Sequence, residues 1–87
     1  MFIVVTESSS IYRVIVQGEI KAIGQLKGSG TNFEHDDIGG FMDPKKNLFF
    51  EGANGLRVGN IILGSGNPLQ KTSPILEIYE RADEPKF

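Results

Sequence analysis

Apolar and polar residues alternate along most of this chain with the period of two expected of strand faces, and helical periodicity is nearly absent. Phe2–Thr6 and Ile11–Gln17 are β-branched, apolar runs separated by a polar turn cluster at 7–10. After a break at Gly18, residues 19–26 alternate, with Ile20, Ala22 and Leu26 on one face and Lys21, Ile23 and Gln25 on the other. Gly24 falls on the first face, where a glycine marks a bend or bulge. Between Leu48 and Leu63, apolar runs flank Asn54-Gly55. That pair supplies the positive φ angles of a type I′ turn, so it predicts a central β-hairpin. Pro74 opens a final strand over 75–81. The chain is therefore expected to be a short all-β domain.

Periodicity fails over 27–47, where Gly28, Gly30, Gly39, Gly40 and Pro44 stand among polar residues. A loop of that length is expected to be functional or disordered. Gly64, Ser65, Gly66, Asn67 and Pro68 make a second loop, and a charged tail over 82–87 is expected to fray.

Strict alternation sets Ile11 and Ile15 opposite Tyr12, Val14 and Val16, and sets Ile75 and Tyr79 opposite Leu76 and Ile78. A thin domain cannot bury both faces. The expected remedy is strand-edge pairing with another subunit; a second sheet, or the 27–47 segment folded over that face, is the alternative.

The length of 87 residues fits one domain over 1–87, near the lower limit for a self-sufficient core. With no cysteine, neither disulfides nor thiolate metal sites can reinforce it. The apolar start, Met1 to Val5, is too short for a signal core, and no run could cross a bilayer, so a cytoplasmic protein without membrane association is expected. A formal charge of −2 gives no global attraction to phosphate, and any nucleic-acid binding must come from a local patch.

Catalytic signals are weak. Glu34, His35, Asp36 and Asp37 place the single histidine among carboxylates, but the spacing matches neither a calcium loop nor a zinc motif, and a solvated acidic loop explains it better. The glycine pairs at 28–30 and 64–66 complete no dinucleotide fingerprint. No nucleophile elbow is present, so no enzyme activity, metal or cofactor is expected.

Aromatic and basic residues near loops form the remaining constellation: Phe33, Phe41, Lys45 and Lys46 in the 27–47 segment, and Arg57, Asn60 and Lys71 in or after the hairpin. Aromatic planes stack on unpaired bases and cations contact phosphates, which points to single-stranded nucleic acid. Phe41 would stack on a base, while Arg57 with Lys45 or Lys46 would contact phosphate. The plainer account makes Phe41 a plug over the core and the lysines solubilising turn residues.

The stretch from Val14 to Leu26, with its glycine at the bend, the stretch from Phe41 through Met42 and Asn47 to Leu48, and the stretch Leu56, Arg57, Val58, Gly59, Asn60 and on to Leu63 together resemble the two motifs of the Sm and Sm-like RNA-binding proteins. Asp43 to Lys46 separate the methionine from the asparagine, and Val58 stands between Arg57 and Gly59. The resemblance implies a divergent, phage-type member: an all-β, small, strongly bent barrel of five to six antiparallel strands that closes into a homo-oligomeric ring by strand-edge pairing. It further implies that Asn47, Arg57, Gly59 and Asn60 line a pore that grips single-stranded RNA. The competing expectation is a structural or protein-interaction module, of phage-assembly or host-inhibitor type, presenting the 27–47 loop.

Overall fold

The computed structural model describes residues 1–17, 19–27, 38–64 and 69–81, with the backbone alone described at 17, 19–24 and 27. The acidic run at 34–37, Phe33, the first glycine pair and the charged tail lie outside the described residues. Among the described residues seven strands follow in chain order: β1 (Phe2–Thr6), β2 (Ile11–Gln17), β3 (Glu19–Lys27), β4 (Ile38–Asp43), β5 (Leu48–Phe50), β6 (Ile61–Gly64) and β7 (Ile75–Glu80). They form a four-stranded sheet, β3-β2-β1-β7, and a three-stranded sheet, β5-β4-β6, antiparallel throughout. The fold is thus all-β and antiparallel. Among the described residues no ladder joins the two sheets, so they stay open where a closed barrel was expected. No helix among the described residues is long and apolar enough to cross a membrane.

The alternation read from the sequence explains the inner face of the larger sheet. Val4 pairs with Tyr12 on one side and with Ile78 on the other, and Phe2 pairs with Val14, so these side chains share a face. The smaller sheet contributes Phe41, paired to both Phe50 and Ile62. Val4, Tyr12, Val14, Ile38, Phe41, Ile62 and Ile75 form one buried cluster, with Phe2, Val16, Phe50, Leu56 and Ile78 packed against it. Each fully buried aliphatic or aromatic side chain contributes roughly 1.5–3 kcal/mol. Two inner faces therefore share one core.

Strict alternation fails in β7. The β1–β7 register runs Val5↔Glu77 and then Thr6↔Ile75, so Leu76 is an extra residue in a β-bulge. The bulge reverses the inside-outside phase. Ile75 is 1 % exposed and Ile78 half-buried on the core side, whereas Leu76 and Tyr79 stay about half exposed. Ile75 is thus covered by its own chain and needs no second subunit, while Ile11 and Ile15 are half-buried. Register also shifts twice between β2 and β3, once beside Gly24, where a bend was expected.

The expected Asn54-Gly55 hairpin is absent. β5 and β6 do not pair with each other; both flank β4, and Gly52–Gly55 is a single 3₁₀ turn. Neither Asn54 nor Gly55 has positive φ. Gly55 serves close approach instead: a Cβ there would lie 2.6 Å from the Cβ atoms of both Phe41 and Phe50. The buried Asn60 amide donates from Nδ2 to the Gly55 carbonyl at 2.9 Å and holds the turn in place.

The tight hairpin lies one element earlier, between β4 and β5. The Lys46 N–H donates to the Asp43 carbonyl at 3.2 Å, the Lys45 N–H donates to Asp43 Oδ1 at 3.0 Å, and Asn47 takes φ 53°. Asp at the first position and Pro at the second suit a type I turn, and Asn tolerates the left-handed residue that closes it. The expected 27–47 loop therefore contains a core strand, β4.

Gly55→Ala should lower unfolding free energy by about 1–3 kcal/mol, because the added methyl overpacks two phenylalanines. Asn60→Ala should cost roughly 0.5–1.5 kcal/mol by removing one of the two donors to the Gly55 carbonyl, which keeps the Arg57 N–H at 3.0 Å. Urea titrations of the two variants check both. The tyrosines give a pH test. Burial raises the Tyr12 phenol above its ordinary 10.0, partly offset by a hydrogen bond with Ser10. Tyr79 is raised by donating its hydroxyl to Glu77 Oε2 at 2.6 Å and by that carboxylate's charge. A raised folded-state value means that the phenol's contribution is complete below about pH 10 and is lost as pH rises through the folded value. Absorbance at ~295 nm should show both tyrosines ionising above their ordinary value, and Glu77→Gln should bring only one of them back.

Candidate nucleic-acid interface

The β4–β5 hairpin carries the exposed Lys45-Lys46 pair singled out from the sequence, while the exposed Arg57 and Lys71 stand outside it. Its turn leaves Lys45, Lys46 and Asn47 exposed, since the turn's hydrogen bonds engage their backbone and Asp43 rather than their side-chain ends. Immediately after it, Leu48 and Phe49 emerge about half exposed. Phe49 pairs with Met42 across the ladder and lies on the face opposite Phe41. Its ring rests over Gly40, where a Cβ would stand 2.5 Å from Phe49 Cζ and where φ is +152°. The glycine is what lets the far end of the ring approach the β4 backbone while the residue stays about half exposed.

On the other face, Phe50 is half-buried, and the Arg57 guanidinium carbon sits 5.2 Å from its ring centroid. That distance is within cation–π range. The exposed Arg57 is therefore steadied from below while its outward N–H groups remain available. Two strand steps, about 7 Å, separate Leu48 at the turn end from Phe50 at the Arg57 end. The lysines and the arginine thus bracket β5 from opposite ends.

Two expected site residues serve the fold instead. Phe41 is 0 % exposed, on the inner face with Ile62 and Phe50, and its ring cannot meet a base. Asn60 is 4 % exposed and committed to Gly55. Gly59 has φ +95°, and its N–H donates to the Ile75 carbonyl at 2.8 Å, tying this loop to β7. Asn47 is a turn residue by its φ, with an exposed side chain. Lys71 is exposed and bridges to Leu63, away from the hairpin.

The residue missed from sequence is Phe49. Its signal lay in Asp43, Pro44 and Asn47, which set the hairpin turn and hence which of the neighbouring phenylalanines faces outward. Local charge is mixed. Lys45, Lys46 and Arg57 are set against Asp43 and Glu51, while β7 carries Glu77 and Glu80. Elsewhere Arg13, buried on β2, has its guanidinium shifted below its ordinary value by desolvation.

Comparison with known proteins gives no relative: no family profile, curated protein or solved structure matches this chain.

Proposed function

We propose that this domain is a non-catalytic binder of single-stranded nucleic acid, with the β4–β5 hairpin as its contact surface. The observation that carries the reading is the half-exposed Phe49 ring, its far end set against Gly40, directly after the exposed Lys45-Lys46 pair. An unpaired base stacks on Phe49, in the role first expected of Phe41. Lys45 and Lys46 neutralise phosphates on one side, and Arg57, backed by Phe50, reaches a phosphate at the other end of β5. Stacking on an exposed ring needs a base that is unstacked from its neighbours, which favours single strands over duplex.

The Sm-like relationship belongs to this proposal. Two sheets sharing one core, with bulged strands at β3 and β7, are compatible with a small bent barrel. Cyclic repetition of the hairpin would multiply weak contacts and offset the chain's net acidity.

A second reading, a structural or protein-interaction module, draws on the apolar exposure of Leu48, Phe49 and Val58 around the same hairpin. It cannot use the whole 27–47 segment as a dispensable arm, because Ile38 and Phe41 of that segment are core residues.

Fluorescence anisotropy with a labelled oligouridine or oligothymidine across a salt series tests the proposal. Log affinity should fall linearly with log salt, at roughly −0.7 per phosphate contacted. Arg57→Ala, and Lys45→Ala with Lys46→Ala, should each make the slope shallower. Phe49→Ala should weaken binding by ~1–3 kcal/mol with little change of slope. Absence of binding at low salt, or equal affinity for duplex, would overturn it.

A further inference from the structure

The β-bulge at Leu76 turns Ile75 inward and also sets what β7 shows to solvent. Pairing with β1 runs Ile3↔Tyr79, Val4↔Ile78 and Val5↔Glu77. Val4 and Ile78 lie on the core side, so Ile3, Val5, Glu77 and Tyr79 share the opposite face of the larger sheet. Ile3 and Val5 are half-buried there, whereas Glu77 is exposed, Tyr79 is 48 % exposed and Leu76, the extra residue, 52 %. Glu80 belongs to the other face, because it pairs with Phe2, which packs against the core. One aromatic ring and one carboxylate therefore stand together beside aliphatic side chains.

The hydrogen bond inside this pair decides what it can recognise. The Tyr79 hydroxyl donates to Glu77 Oε2 at 2.6 Å, which uses the only side-chain donor of the two residues and holds ring and carboxylate in one arrangement. What is left for a ligand is the phenol lone pair, Glu77 Oε1 and the electron-rich face of the ring, all of which attract cations and hydrogen-bond donors. A phosphate or a carboxylate finds no side-chain donor in this pair. Among the described residues Glu77 has no cationic partner. Arg81, two residues beyond Tyr79, is exposed and gives its backbone N–H to the Met1 carbonyl at 2.8 Å.

We infer that this side of β7 is a docking surface for an arginine side chain of a partner protein. A guanidinium is planar, so it stacks on the Tyr79 ring, and it carries several donors in a fixed fork, so it bonds the carboxylate and the phenol oxygen together. Its aliphatic stem has Leu76, Ile3 and Val5 to lie against. A lysine ammonium, compact and strongly hydrated, gains only the attraction of a point charge. The chain's formal charge of −2 adds to the approach of a basic segment. The inference rests on β7 alone and goes beyond the nucleic-acid reading, whose contacts lie around β5.

Fluorescence anisotropy provides the test: a labelled pentapeptide with two arginines, its lysine twin and its citrulline twin are each titrated with the full chain in the absence of nucleic acid. The arginine peptide should bind roughly two- to five-fold more tightly than the lysine peptide, the range an exposed cation–π contact gives. It should also bind more tightly than the citrulline peptide, which keeps planar donors without the charge. Glu77→Gln and Tyr79→Ala should each weaken the arginine peptide, and Glu80→Gln, on the other face, should leave its affinity unchanged, circular dichroism confirming that all three remain folded. Saturating arginine peptide should lower the ionisation of one tyrosine only, because a cation held against Tyr79 favours its phenolate while Tyr12 is buried in the core. Equal affinity for the arginine and lysine peptides, or equal losses from Glu77→Gln and Glu80→Gln, would reduce the effect to general acidity and overturn the inference. Self-association of the peptide-free protein that Glu77→Gln abolishes would overturn it too, by putting a second copy on this surface. Oligonucleotide binding is measured separately, so failure of either proposal leaves the other standing.

Discussion

The close packing of Gly55 against Phe41 and Phe50 is the contact on which the smaller sheet depends. Phe41 sits at the centre of that sheet, fully buried, paired to β5 on one side and β6 on the other. The 3₁₀ turn presses on it through a residue with no side chain, at a distance that excludes even a methyl group. From that contact follow the angle at which the chain leaves β5, the position of Leu56 against the core, and the placement of Arg57 over Phe50. A small core gains most from such proximity, since each displaced side chain there is a sizeable share of marginal stability.

Much of the fold was legible in the sequence because it is written in alternation. β1, β2, β3 and β7 are found close to where periodicity places them, and the glycine at 24 does mark a register shift. The smaller sheet was misread because its glycines act in a way that local rules do not price. Gly39-Gly40 lowered the strand signal of β4, yet Gly40 is there to receive the Phe49 ring. Asn54-Gly55 carries the strongest hairpin signal in the chain, but Gly55 answers a tertiary contact between two phenylalanines. Glycine chosen for positive φ and glycine chosen for close approach look the same in one sequence; only the partner distinguishes them.

The candidate site turned on the same ambiguity at residue level. Phe41 and Phe49 both stand near the lysine pair, and β-pairing places them on opposite faces. Once the Asp43 turn is taken as the hairpin, Phe49 is the solvent-side ring. Asn60 looked like a polar loop residue available to a ligand, and its buried amide is instead spent, beside the Arg57 N–H, on the Gly55 carbonyl, a role set by a fold that brings Gly55 within its reach. The exposure of Lys45, Lys46 and Arg57 was legible, because long cationic side chains beside turns stay in solvent for reasons the sequence does contain.

The bulge at Leu76 bears most directly on assembly. Strict alternation left Ile75 stranded on an outer face and made a second subunit a requirement of burial. One extra residue reverses the phase, sends Ile75 and Ile78 inward together, and removes that requirement. What remains outward is Leu76 and Tyr79, flanking unpaired backbone and accompanied by glutamates. With Ile75 and Ile78 turned inward, the core is closed by residues of one chain, and a change on the exposed side of β7 leaves the Phe41 contact untouched.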